Sequence, residues 1–236
     1  MQIRRLSLAE GAAAARGTAV IIDVFRAFTC EPLMLHLGAR RILLEGDPAA
    51  ALAFRQTDDP DAILVGEVDE APIEGFDLTN SPSLILARGR ALFDGRTVIH
   101  RTTSGVTGAL EALENCSEVL LASYPTAQAT AAYIRARQPE VVSIVAMGIR
   151  REAPAPEDEA CGDYIESLLG GRAYDHVAAL TTILAHETAQ KFLRGDKPYL
   201  PREDVTFCLQ RDLFDWTLRA ERRGDRVEAS ALVLPT

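Results

Sequence analysis

The sequence predicts an α/β protein, a layered αβα fold on a mixed β-sheet, and three observations carry that expectation. Short runs rich in β-branched and aliphatic residues alternate with longer helix-forming stretches. Several of these runs are apolar on both faces, as strands covered by helices on each side are. A chain of 236 residues with 47% hydrophobic content can also bury a sizeable core. The predicted strands are AVIIDVF (19–25), RILLE (41–45), AILVGE (62–67), TVIH (97–100), EVLLAS (118–123) and VVSIVAMG (141–148). Helices are expected between and after them, in FTCEPLMLHLGA, PAAALAFRQ, GVTGALEALE, PTAQATAAYIRAR and EDEACGDYIESLL, with one long helix in YDHVAALTTILAHETAQKFLRG. No internal repeat appears. The Pro-rich REAPAPEDE is short enough to be an active-site loop rather than a linker, so a single domain over 1–236 is expected.

Composition narrows the function classes. The net charge of −9 argues against a broad nucleic-acid surface, which needs clustered Lys and Arg. An anionic ligand must therefore meet locally arranged cations. Cys30, Cys116, Cys161 and Cys208 lie far apart, with no C-x-x-C pair, so neither a zinc knuckle nor a disulfide framework is indicated. The opening MQIRRLSLAEG lacks an apolar signal-peptide core, and no apolar run approaches the ~18 residues of a membrane span. A soluble, cytoplasmic protein that acts on a small molecule, with neither nucleic acid nor membrane as partner, is the expectation. Oligomeric state is left open, a homodimer being one option.

Ligands of such sheets gather at the carboxyl ends of the strands. The first predicted strand ends at Asp23 and Arg26, the third at Gly66 and Glu67, and the fifth at Ser123; the sixth leads into GIRREAPAPEDE. The fourth runs into Arg101, Thr102, Thr103, Ser104 and Gly105, where backbone N–H groups, hydroxyls and a helix N-terminus suit a phosphate or carboxylate. Asp23, Glu67 and Asp158 opposite Arg26, Arg101 and the hydroxyls would suit Mg²⁺ and a phosphorylated substrate, because the hard cation takes carboxylate oxygens while the anion takes donors. Each residue also has a plain structural reading: turn former, helix cap, surface ion pair or, for His100, a satisfied core histidine.

Common phosphoryl-transfer signatures are absent. There is no Walker A loop, and Phe25 stands where a second aspartate would follow Asp23 in an aspartyl phosphatase. No cysteine has an arginine six residues on, and none of His36, His100, His176 and His186 sits in an Arg-His-Gly run.

The segments VIIDVFRAFT, VGE with IEGFDLTNSP, RTTSG, ASYPTA and EDEACG, in that order and over nearly the whole chain, resemble the 2-phosphosulfolactate phosphatase family, often called the ComB family. The most specific matches are Asp23-Val24-x-Arg26-Ala27 and Gly75-Phe76-Asp77-x-x-Asn80-Ser81-Pro82. The resemblance implies an unusual αβα fold and an Mg²⁺-dependent phosphatase that releases phosphate from 2-phosphosulfolactate on the way to coenzyme M. The chain departs from the pattern at Thr79, Ser104 and Thr126, and in the basic IRREAPAP loop. Arg150 and Arg151 there either meet extra anionic groups of the substrate or are solvated loop charges.

Together these readings place Asp23, Glu67 and Asp158 on Mg²⁺, and assign catalysis to Asp23, Arg26, Glu67 and Ser104. The phosphorylated substrate is assigned to Arg26, Arg101, Thr102, Thr103, Ser104, Gly105, Asn80, Ser81 and Ser123. A metal-polarised water is the expected nucleophile. Covalent attack by Ser81, Ser104 or Ser123 is the competing route, and a non-catalytic module binding a phosphorylated or sulfonated metabolite is the competing function.

Overall fold

The computed structural model describes residues 1–171 and 173–233. The first half of the chain runs β1 (Gln2–Ser7), α1 (Leu8–Ala14), β2 (Thr18–Ile22), α2 (Ala27–His36), β3 (Arg41–Leu44), α3 (Pro48–Thr57), β4 (Ile63–Val68), β5 (Ala71–Pro72), α4 (Pro82–Phe93), β6 (Thr97–Arg101) and α5 (Gly105–Ala112). The second half runs β7 (Glu118–Ala122), α6 (Ala127–Arg137), β8 (Val141–Ala146), α7 (Pro156–Gly170), α8 (His176–Ala185), α9 (Glu187–Leu193), α10 (Glu203–Cys208), β9 (Trp216–Arg223) and β10 (Arg226–Val233). All six predicted strands are present.

The strands form one mixed sheet in the order β1-β8-β2-β7-β9-β10-β3-β6-β4-β5. β1, β8, β2 and β7 are mutually parallel, as are β3, β6 and β4. The β9–β10 hairpin joins the two sets through three antiparallel pairings, so the sets run in opposite directions along the sheet. Helices cover both faces. Inward side chains of both sets, among them Ile21, Val119, Ile42 and Val98, pack with Phe28 and Met34 of α2 and Val106 of α5. On the outer face, Val20, Ile22 and Ile144 meet Ile134 of α6 and Ile165 of α7, while Leu64 and Ile99 meet Ala51 and Phe54 of α3. Two-sided burial explains why β2 reads TAVII with every residue buried.

The long helix expected over 174–195 is instead two helices. His186 sits between them in an extended conformation, and its Nδ1 accepts from Thr188 N at 3.2 Å, capping α9. That break turns α9 toward the strand exits. Among the described residues no helix is long and apolar enough to cross a membrane.

Candidate active site

Although the two parallel sets run oppositely, the segments after β2, β4, β6 and β8 line a single cleft, with α7 and α9 completing its wall. β4 and β6 approach so closely that a Cβ on Gly66 would lie 2.2 Å from Arg101 O.

Asp23 lies at the centre of the cleft's charge. It follows β2, is buried, and both its oxygens accept main-chain hydrogen bonds, Oδ1 from Ala27 N at 3.1 Å and Oδ2 from Gly105 N at 2.8 Å. These bonds favour the anion. Burial opposes them and, with Glu67 nearby, raises the carboxyl from an ordinary 3.8 to about 6. Asp158, in the first turn of α7, accepts from Val24 N and Gly148 N, each at 2.8 Å. Burial, Asp23 and Glu157 push it well above the usual carboxylate range. Glu157 accepts from Thr188 Oγ1 at 2.8 Å and is raised from 4.5 to about 7, by burial first, with Asp23 adding repulsion and Lys191 partly offsetting it. Glu67 accepts from Thr103 N at 2.6 Å and Glu70 N at 2.5 Å.

The turn after β6 has a different occupant from the one its sequence suggests. Its N–H groups hold the protein's own carboxylates: Thr103 N is bonded to Glu67 and Gly105 N to Asp23. A Cβ on Gly105 would lie 2.8 Å from both Asp23 Oδ2 and Ala27 Cβ, so glycine here permits the approach of Asp23. Thr102 Oγ1 accepts from Val106 N at 3.0 Å and so satisfies an N–H of the first turn of α5. Only Thr103 and Ser104 of this turn line the cleft.

Arg26 lines the cleft and is buried beside Asp204 of α10, Nη1 donating to Asp204 Oδ2 at 2.8 Å and to Tyr199 O at 3.0 Å. Its guanidinium lies 5.2 Å from the centre of the Phe192 ring. Asp204 Oδ1 accepts from Ser81 Oγ, Ser83 N and Ser83 Oγ, which ties α10 to the start of α4. Arg150 and Lys191 complete the cationic side, where they face Asp69 at 3.8 Å and Glu70, respectively, from the β4–β5 turn.

Of the residues singled out from sequence, Asp23, Arg26, Glu67, Asn80, Thr103, Ser104, Arg150 and Asp158 line this cleft. Arg101, Thr102, Gly105, Ser81 and Ser123 stand behind it. Arg101 braces the wall, Nε donating to Gly46 O at 3.2 Å and Nη1 to Glu67 O and Thr103 Oγ1. Ser123 Oγ donates to Phe28 O at 2.7 Å, the carbonyl that Pro32 leaves without its helical N–H partner. Of the three candidate serine nucleophiles only Ser104 lines the cleft, and among the described residues no histidine or cysteine does.

Among the described residues no group of three or more His, Cys, Asp or Glu side chains is placed to hold a metal ion, while Asp23, Glu67 and Asp158 all line the cleft. Main-chain N–H groups engage both oxygens of each and fix them on separate segments. The uncompensated negative charge around Asp23 nevertheless fits a hard divalent cation of the kind that one or two carboxylates hold with water and a substrate phosphate.

Glu157, Thr188, Lys191, Phe192 and Asp204 complete the site without having been assigned to it from sequence. Glu157 was legible as half of an acidic pair. The others come from α9 and α10, whose approach depends on the break at His186.

Buried carboxylates opposed to cations at the strand exits of a mixed αβα sheet define an α/β protein with one strongly charged cleft. Comparison with known sequences places it further: the profile of 2-phosphosulpholactate phosphatase matches residues 5–222, and the chain belongs to that family of phosphoric monoester hydrolases. Proteins named probable 2-phosphosulfolactate phosphatase are similar to it. The one from Bacillus subtilis is 32% identical over 208 residues, covering 87% of this chain and 88% of the relative. That from Deinococcus radiodurans is 38% identical over 151 residues, 64% of this chain and 61% of the relative. That from Clostridium perfringens (strain 13) is 29% identical over 218 residues, 84% and 83% of the two chains.

Proposed function

We propose that this protein is an Mg²⁺-dependent phosphatase that hydrolyses 2-phosphosulfolactate or a closely similar phosphorylated hydroxy acid bearing a second anionic group, to the free hydroxy acid and phosphate. The observation that carries this reading is the opposition, inside one cleft, of the carboxylates around Asp23 to Arg26, Arg150 and Lys191. A purely anion-binding module needs the cations and has no use for Asp23, Glu157 and Asp158, which repel the ligand and one another. With 2-phosphosulfolactate as substrate the reaction would stand on the route to coenzyme M.

Arg26, locked by Asp204, offers its remaining N–H groups to the phosphoryl oxygens together with Asn80 and Ser104. Lys191 and Arg150, near the β4–β5 turn, suit the substrate's carboxylate or sulfonate, which would take the place of Glu70 and Asp69 as their partners. Asp23 would hold the cation, which when bound supplies charge neutralisation at the phosphoryl group. Glu157, with a proton affinity near neutrality, is suited to take the proton of an attacking water. Positioning and charge neutralisation then account for most of the rate.

Phosphate release from 2-phosphosulfolactate and from phosphorylated hydroxy acids lacking the sulfonate tests the reading, with Mg²⁺ and with excess EDTA. Turnover that needs Mg²⁺, and a KM at least about tenfold higher for Lys191→Met, are expected for an anion contact of ordinary strength. No turnover of any of these compounds with Mg²⁺ would overturn the phosphatase reading, and full turnover in EDTA would remove the metal from it.

A further inference from the structure

Behind Asn80 lies a line of buried polar groups that hydrolysis as described does not use. His100, on β6, is fully buried; its Nδ1 lies 2.8 Å from Glu31 Oε1 on α2, and its Nε2 lies 3.0 Å from Asn80 Oδ1. Glu31 is also fully buried, and its second oxygen has no partner. Asn80 is 3% exposed and lines the cleft. Among the described residues no protein group accepts from its Nδ2.

The placement of Oδ1, rather than Nδ2, against His100 Nε2 gives the line a direction. A ring nitrogen that faces an amide oxygen carries a hydrogen, whether the proton shared between Nδ1 and Glu31 rests on the ring or on the carboxyl. Asn80 therefore accepts through Oδ1 and keeps both Nδ2 hydrogens for another acceptor. An apolar pair of similar volume would fill the space between α2 and β6 at no greater cost than a buried Glu–His pair. An asparagine amide without such an anchor can turn over and present its oxygen, which would repel an anion.

We infer that His100, anchored on Glu31, is a positioning residue that holds the Asn80 amide with Nδ2 presented to the cleft as a donor to an oxygen of the anionic substrate. The inference rests on the reading of the cleft as a phosphate site and assigns within it a residue that never touches the ligand.

Three variants and one probe test it. Glu31→Leu/His100→Phe replaces the pair by apolar side chains, Asn80→Ala removes the donor, and the triple variant combines them. Inorganic phosphate is titrated calorimetrically into each with Mg²⁺ present, and the Asn80 side-chain amide is followed by ¹⁵N–¹H NMR without ligand. The expected result is about tenfold weaker phosphate binding for the paired variant, a similar loss for Asn80→Ala, and no further loss in the triple variant. The Asn80 amide signals should also shift in the paired variant. Losses that add in the triple variant, or Asn80 signals that stay in place, would overturn the inference. Should the paired variant not fold, His100→Gln gives the same comparison against His100→Gln/Asn80→Ala: non-additive losses are expected, and additive ones would overturn the role. Wild-type protein that binds no phosphate would overturn the cleft reading and the donor role together. Shifted Asn80 signals would still record the anchoring, which keeps the two failures distinct.

Discussion

Glu157→Gln should stabilise the metal-free protein, and only where Glu157 would be ionised. Folding raises this carboxyl from 4.5 to about 7, chiefly through burial. That rise is about 2.5 units, so the ionised side chain costs the folded state about 3 kcal/mol relative to the neutral one. Because the folded value lies above the unfolded one, the cost is absent below about pH 4.5, grows as the unfolded chain ionises, and is complete above about pH 7. Glutamine removes the charge and keeps a partner for Thr188, whose hydroxyl can donate or accept. Repulsion with Asp23 and Asp158 is relieved by the same change, while the offsetting attraction to Lys191 is lost. In EDTA at pH 8 the gain should reach up to about 3 kcal/mol, roughly 6–12 °C in Tm for a chain of this size. At pH 5 it should shrink to a fraction of that. Urea and thermal unfolding at both pH values measure the difference. A gain of equal size at both, or a loss at pH 8, would refute the account of Glu157 as a buried charge held in place for function.

Two further substitutions probe the same cleft. Asp23→Asn relieves a burial and repulsion cost of about 3 kcal/mol, but it turns an amide NH₂ toward Ala27 N or Gly105 N at a cost of about 1–3 kcal/mol. Its Tm should therefore rise less than that of Glu157→Gln while turnover falls by at least about a hundredfold, and normal turnover in a steady-state assay would count against Asp23 as a catalytic group. Asp204→Asn leaves the Arg26 guanidinium buried without its counter-ion, so unfolding free energy should drop by about 3–5 kcal/mol with a raised KM. A stability within about 0.5 kcal/mol of wild type by urea unfolding would show that Asp204 does not hold Arg26.

Central strands were legible because two-sided burial leaves a continuous apolar run, as TAVII and VVSIVA do. β9 and β10 have the opposite pattern, with Val227 and Ala229 buried between more exposed, polar neighbours. Their signal was the turn instead: Gly224 at φ 61 followed by Asp225, between alternating segments. β1 was obscured in the same way by Arg4 and Arg5 within QIRRLS. In the site, Asp23, Arg26, Glu67 and Asn80 could be read from strand exits and from a family motif. Lys191, Thr188 and Asp204 could not, because a helical repeat records which face is buried and carries no information about where the next helix turns. The break that decides it is a histidine acting as an N-cap, a residue outside the usual Ser, Thr, Asp and Asn signals.

The Thr-Thr-Ser-Gly turn shows why strand-exit chemistry identifies a site better than it identifies an occupant. Main-chain donors at a helix start attract any carboxylate or phosphate alike. Here Asp23 and Glu67 take those positions, while Val24 N and Gly148 N do the same for Asp158. The consequence is electrostatic. Backbone donors that could have neutralised a ligand's charge instead hold an array of carboxylates, so the cleft is left with negative charge to be balanced from outside the chain. A phosphorylated substrate alone would add to that charge, with only Arg26, Arg150 and Lys191 against it, and the last two already face Asp69 and Glu70. A divalent cation entering with the substrate reverses the balance, because it is attracted by the carboxylates and in turn attracts the phosphoryl oxygens. On that argument, and on the function proposed above, the acidic side of the cleft would serve to bind the cation, and the basic side to choose the substrate.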